Sequence, residues 1–174
     1  HVTGVQTCAL PILTDDQWSM YYDFYCSTFY RRWGSPRLTL DFFRHLGRSM
    51  PENTLLILAS HEKKHVAGAF IMAGGDTLYG RHWGCAQHYR FLHFELCYYQ
   101  TIDHCIKHGY RAIDAGVQGE HKLARGFHPV TASSFHWIRH PAFRNAINEY
   151  LLQERRETEA YIDLLNMHLP YKDH

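Results

Sequence analysis

Gln118, Glu120, His121, Lys122 and Arg125 crowd into the stretch GVQGEHKLARGF, Gly116 to Phe127, among glycines and directly after an apolar run. A carboxylate beside an imidazole can take up and return a proton, and a lysine near an arginine can hold a phosphate or carboxylate, the arginine in bidentate fashion. Glycines such as Gly119 let the backbone adopt positive φ or come close to a ligand. The bland alternative is a solvated connector whose Glu120 and Lys122 face water. The mixture of residue types favours a site carried on a loop.

His93, Glu95, Tyr98 and Tyr99 open a second constellation. Residues three and four apart share a helix face, so Glu95 can neighbour Tyr98 or Tyr99 and place a carboxylate and a phenol in one cleft. Tyr99 also falls on the apolar stripe Leu96, Tyr99, Ile102, Ile106 and is expected in the core, and His93 can cap or bond locally. A third group is LYGRHWG, Leu78 to Gly84. Along a strand, Tyr79, Arg81 and Trp83 would share one face and Leu78, Gly80 and His82 the other. Gly80 and Gly84 indicate a bulge or the close approach of another backbone, and Trp83 reads first as packing. The thiols of Cys97 and Cys105, near His93 and His104, are nucleophile candidates. Cys105, beside Ile106, reads as a small buried hydrophobe, and His136 and His140 around Trp137 read as structural.

These residues need elements to position them. Thr14-Asp15-Asp16 caps a first helix in which Trp18, Tyr21, Tyr22, Tyr25 and Phe29 recur at helical spacing, and Gly34-Ser35-Pro36 breaks it. Thr39 caps a shorter helix that ends before Pro51. Thr54–Ser60 and Val66–Gly74 read as an antiparallel hairpin, followed by a third strand over Thr77–Cys85. A central helix runs from Leu92 to the stop at His108-Gly109. Arg111–Ala115 makes a short strand into the glycine-containing loop, Ser133–Ile138 a last strand, and Pro141 opens a helix to about Leu165. This order predicts an α/β (α+β) fold: a mixed, mostly antiparallel sheet flanked by helices on both faces.

The chain has 174 residues, 45% hydrophobic and 15% aromatic, enough for one core. With 18 basic against 17 acidic residues, its charge of +1 offers no field that would announce nucleic acid or an anionic membrane. The apolar runs are far shorter than the roughly 20 residues of a membrane span. Five cysteines without a CxxC pair suit free thiols and favour the cytoplasm. The 15 histidines are scattered and form no HExxH or CxxC…H pattern, so no metal is expected. Val2–Ile12, VTGVQTCALPI, reads as the translation of a sequencing-adapter oligonucleotide. Fold expectations therefore begin at Leu13, and residues 1–12 are expected to be foreign to a protein that continues further N-terminally.

LYGRHWG, LHFELCYYQ (Leu92–Gln100) and GVQGEHKLARGF together resemble the predicted N-acyltransferase family labelled peptidoglycan biosynthesis/recognition. That family is related to the Fem-type peptidyltransferases and, more remotely, to the GNAT acyltransferases. The resemblance covers residues 13–174. It implies a GNAT-like domain, the C-terminal half of a protein with two such domains, whose missing N-terminal domain would be a partner. The implied reaction is transfer of an acyl or aminoacyl group to a small-molecule amine such as an amino acid, an amino sugar or a cell-wall precursor. Glu120 or His121 would be the base and Tyr98 or Tyr79 the leaving-group acid. Gln118, Gly119, Lys122, Arg125, Glu95, His93 and Trp83 would bind substrate. The GNAT family usually has a glycine-containing loop at the start of the central helix, whose amides cradle the pyrophosphate of coenzyme A. Here that position reads Gln87-His88-Tyr89-Arg90-Phe91-Leu92, without glycine. Acyl-coenzyme A and aminoacyl-tRNA, the donor of Fem-type relatives, are both implied as donor substrates. A non-catalytic recognition module for cell-wall fragments or amino acids is the alternative.

Overall fold

Thr14 starts α1 (Asp15–Tyr30): its side chain accepts from the Gln17 amide while Gln17 Oε1 accepts from the Thr14 N–H at 2.9 Å. This reciprocal cap satisfies two orphan donors, and Asp15 and Asp16 add negative charge at the positive end of the helix. Thr39 caps α2 (Leu40–Ser49) by accepting from the Phe42 amide at 3.2 Å. Both helices begin where the sequence predicts. The computed structural model describes residues 5–10, 13–31, 34–116 and 119–171, so Gln118 lies outside the described residues. The chain divides into two compact units, His1–Gly116 and Val117–His174.

In the first unit, β2 (Thr54–His61) and β3 (Lys64–Gly74) turn through Glu62 and Lys63 at φ 49° and 64°. Positive φ at both central residues gives the turn whose twist suits an antiparallel hairpin. β4 (Thr77–Cys85) pairs antiparallel with β3, and β5 (Ala112–Asp114) pairs with β4 in parallel. Six residues outside the sequence-based expectation also take part: β1 (Val5–Leu10) lies antiparallel along β2, with Val5 opposite His61. The sheet runs β1-β2-β3-β4-β5, mixed and mostly antiparallel, as predicted.

Strand alternation gives the sheet two cores. On one face Leu56, Leu58 and Phe70 bury against Trp18, Tyr21, Tyr25 and Phe43 of α1 and α2. The rings interlock edge to face, with Tyr25 and Phe43 centroids 5.2 Å apart. On the other face Leu55, Ile57, Ala69 and Ile71 pack against Leu92, Leu96 and Cys105 of the central helix. Burying each such aliphatic side chain contributes about 1.5–3 kcal/mol before the entropy of ordering it.

The central helix departs from its expected register. It starts as α3 (Leu92–Phe94), widens into a π turn over Glu95–Tyr99, and resumes as α4 (Gln100–His108). The extra residue rotates the following side chains, so Tyr98 is buried where Tyr99 is 46% exposed, and Ile106 is 75% exposed. Thr101 and Cys105 take the buried positions. Thr101 Oγ1 donates to the Leu96 carbonyl at 3.1 Å, repairing a hydrogen bond that the wider turn disturbs.

The second unit contains a 3-10 turn (Glu120–Arg125) and α5 (Pro141–Asn166). Pro141 occupies the first turn, and His140 caps it by accepting from the Phe143 amide at 3.4 Å. His140 thus has a local structural role, and His136 bonds to Ser134 Oγ at 3.0 Å. The predicted strand Ser133–Ile138 does not form. The segment pairs with no strand among the described residues, and Phe135 and Trp137 are 95% and 80% exposed. Strand propensity reports fit to a half-buried pleated surface, and none is offered here.

Candidate functional site

β4 and β5 pair only from Thr77 opposite Ala112 to Tyr79 opposite Asp114. The pairing stops there because β5 itself ends at Asp114. Helix α1 attends to the far end of β4 instead: Thr28 Oγ1 donates to the Trp83 carbonyl at 3.0 Å and Ser27 Oγ to the Cys85 carbonyl at 2.9 Å. Arg31 adds a second donor to the Cys85 carbonyl at 2.8 Å. α1 can come this close because residue 84 is glycine. A Cβ there would lie 2.0 Å from the Phe24 carbonyl oxygen, which is the close backbone approach the sequence suggested.

The other expectation for this strand, a bulge, is also met, and it overturns the predicted faces. Phe70 pairs with His82 and Ile71 with Gly80, so Arg81 is the extra residue. Side chains after the bulge swap sides. Trp83, opposite Ala69, joins the central-helix face with Leu78, whereas His82 joins the α1 face, its ring 5.1 Å from that of Tyr25. Tyr79, opposite Met72, lies on that α1 face and therefore across the sheet from Trp83. The Arg81 guanidinium covers the Tyr79 ring at 5.3 Å. Burial, followed by the charge of Arg81, lowers the pKa of His82.

On the central-helix face the structure brings together Trp83, His93 and Tyr98. The Trp83 and His93 ring centroids are 5.1 Å apart, and His93 meets Tyr98 edge to face at 5.6 Å. Glu95 is buried in the π turn, where Gln100 Nε2 donates to its Oε1 at 2.9 Å. π turns of this kind recur at functional sites because they turn side chains out of the regular register. A cavity of about 290 Å³ opens between the end of β4 and the start of the helix, walled by Trp83, Cys85, Tyr89, Phe91, His93 and Phe94, with His88 and Arg90 also lining it. Phe91 holds its rim in the left-handed conformation, φ 65°, which for a residue with a Cβ costs roughly 1–2 kcal/mol. The Arg90 guanidinium lies 4.7 Å above the Phe91 ring.

The thiols fit no nucleophilic role. Burial pushes Cys97 up to about 12, and Cys105 is raised by the same cause while donating to the Tyr110 carbonyl at 3.3 Å.

In the second unit, Glu120, His121, Lys122 and Arg125 share the 3-10 turn. Glu120 Oε1 accepts a hydrogen bond from the Tyr161 hydroxyl of α5 at 2.6 Å, and this bond raises the Tyr161 pKa. Arg125 donates to the His121 carbonyl at 2.6 Å, closing the turn. Desolvation lowers the His121 pKa, assisted by the charges of Arg125 and Lys122, so its neutral, proton-accepting form is favoured. Gly119 sits at φ 108°, and a Cβ there would lie 2.4 Å from the His121 ring. Only glycine serves at that position.

Sequence reasoning missed Tyr161, Tyr89, Arg90 and Phe91. Tyr161 is 41 residues from Glu120, and nothing local marks it. The run from Gln87 to Leu92 was conspicuous only for lacking glycine. Among the described residues no group of three or more His, Cys, Asp or Glu side chains could hold a metal ion, and no helix is long and apolar enough to cross a membrane.

Comparisons with known proteins complete the picture. No curated protein sequence matches the chain. Solved structures share the fold at low identity. A possible acetyltransferase from Clostridium difficile superposes with a TM-score of 0.52 and 11% identity over 78% of this chain and 99% of that one. An aminoglycoside N-acetyltransferase in complex with CoA gives 0.53 and 10% over 78% and 95%. Glucosamine-6-phosphate N-acetyltransferase from Arabidopsis thaliana gives 0.51 and 12% over 76% and 99%. The fold is therefore that of the GNAT acetyltransferases. Residues 4–173 match the FemAB-like family described as peptidoglycan biosynthesis/recognition, and the chain belongs to that family.

Proposed function

We propose that the protein transfers an acyl or aminoacyl group from an activated donor to the amine of a small acceptor, an amino acid or a cell-wall precursor. The family and the fold support an N-acyltransferase-type function. The observation that carries the finer reading is the cavity between the end of β4 and the start of the central helix, where Trp83 and His93 meet just ahead of the π turn that opens with the buried Glu95.

In the reaction, the acceptor nitrogen attacks the donor carbonyl carbon, its surplus proton passes to a base, and the leaving oxygen or sulfur departs with a proton from an acid. In the second unit the base is Glu120, whose carboxylate is steadied by Tyr161; His121 is the other proton acceptor, and Lys122 and Arg125 hold an anionic part of a substrate. In the first unit Tyr98 is the acid in preference to Tyr79, which points to the other face of the sheet. In the first unit Trp83 and His93 shape the binding surface and Glu95 sits behind it in the π turn; in the second unit Gly119 seats the His121 ring.

Coenzyme A in the usual GNAT manner needs bare backbone amides at the start of the central helix. Here the Leu92 amide already donates to the Tyr89 carbonyl at 3.3 Å, and Phe91 presents a side chain at the position of positive φ. Those residues do not fit a pyrophosphate cradle. Acyl-coenzyme A and aminoacyl-tRNA are tested as donors in parallel. Purified protein is incubated with each donor and a panel of amines, and mass spectrometry reads the product. Acylated amine with either donor supports the reading. Ligand binding with no product from any donor would leave a recognition module.

A further inference from the structure

We infer that the cavity between β4 and the central helix binds a flat apolar group carried on an anionic ligand of amino-acid size, such as an aromatic carboxylate. Its volume, about 290 Å³, is at the small end of the ~300–1,000 Å³ typical of ligand pockets, which suits one ring and a short chain. Its walls are rings: Trp83, Tyr89, Phe91, His93 and Phe94 supply faces and edges on which a ring can stack, each such contact contributing about 0.5–1.5 kcal/mol beyond area burial.

Aromatic walls alone would also suit a cation. Arg90 decides against one. Its guanidinium already occupies a face of Phe91 at 4.7 Å, and a second positive charge there would be repelled. Among the described residues no carboxylate pairs with Arg90, so an incoming anion meets an uncompensated guanidinium at the rim. Tyr89 is steadied from behind, its hydroxyl 3.5 Å from His61 Nδ1 and bonded by Gln87 Nε2. The left-handed backbone of Phe91, whose side chain is 58% exposed, places an aromatic ring at the rim although solvent gives that ring no reason to be there.

The inference rests on the acyl-transfer reading for its meaning, since it names the part of a substrate that this site grips, yet binding is measured without turnover. Isothermal titration with 3-phenylpropionate, its neutral amide, phenethylammonium and inorganic pyrophosphate tests it. The expected order is carboxylate, then amide, then ammonium, with pyrophosphate unable to displace the carboxylate. Phe91→Gly suits the same φ and so leaves the fold intact while removing the rim ring; it weakens 3-phenylpropionate about fivefold. Arg90→Gln weakens the carboxylate about tenfold and the amide hardly at all. Tighter binding of phenethylammonium, displacement by pyrophosphate, or unchanged affinity in Phe91→Gly overturns the inference. Transferase assays run separately, so loss of the acyl-transfer reading and loss of this binding site give different results.

Discussion

Glu120 and Tyr161 form a 2.6 Å hydrogen bond across 41 residues of sequence, joining the polar loop to the long C-terminal helix of the second unit. The bond holds one carboxylate oxygen of the proposed base and leaves the other for a proton. With Glu120 as base, Glu120→Gln lowers kcat about 100-fold or more, the usual weight of a positioned general base. Tyr161→Phe lowers it less, by roughly fivefold to tenfold, because the base survives but is less well oriented. Equal loss in both variants, or none in Glu120→Gln, removes Glu120 from the role.

His121 should titrate below its ordinary value of 6.5, because desolvation and then Arg125 and Lys122 disfavour its charged form. NMR titration of its ring protons gives the midpoint, which rises in Arg125→Gln and in Lys122→Gln. A midpoint that ignores both substitutions contradicts the electrostatic account of the loop.

His82 makes folding pH-dependent. Burial and Arg81 lower its pKa in the folded state, so the unfolded chain binds the proton more readily. The sign is fixed: His82 contributes stability that is fully present above the ordinary value of 6.5 and is lost as pH falls through the lowered one. Melting temperatures measured from pH 7.5 to 5 should fall less steeply in His82→Phe than in the parent.

The pattern of what the sequence disclosed follows from the range of the interactions. Caps at Thr14, Thr39 and Pro141 are set by neighbours within one helical turn, so local reading located α1, α2 and α5. Leu55 to Ala59 alternates between two cores yet reads as one apolar run, as a strand covered on both faces must. Failures came where one inserted residue changes the period. The bulge at Arg81 sent Trp83 and Tyr79 to opposite faces, and the π turn exchanged Tyr98 for Tyr99 in the core. Neither insertion has a local signature beyond Gly80. The loop's chemistry was visible from composition, whereas Tyr161 and the left-handed Phe91 depend on tertiary structure.

Gly84→Ala tests the approach of α1 to β4. Its Cβ would overlap the Phe24 carbonyl, which is backbone and cannot rotate away. Overpacking of this kind costs about 1–3 kcal/mol or more, seen as a drop in the urea midpoint. An unchanged midpoint would mean that α1 sits farther from the strand.

Cys97 should react slowly. With its thiol near 12, its modification by iodoacetamide stays low from pH 7 to 9 and rises only on unfolding, and Cys97→Ala keeps acyl-transfer activity. Rapid labelling at neutral pH would contradict that burial.

Mass spectrometry of a single incubation bears most directly on acyl transfer: purified protein, an amine acceptor panel, and either acyl-coenzyme A or aminoacyl-tRNA. The account predicts an amine that gains the donor's acyl mass in parent protein and at least about 100-fold less in Glu120→Gln. No mass gain with any donor, in protein that still binds 3-phenylpropionate, would contradict it.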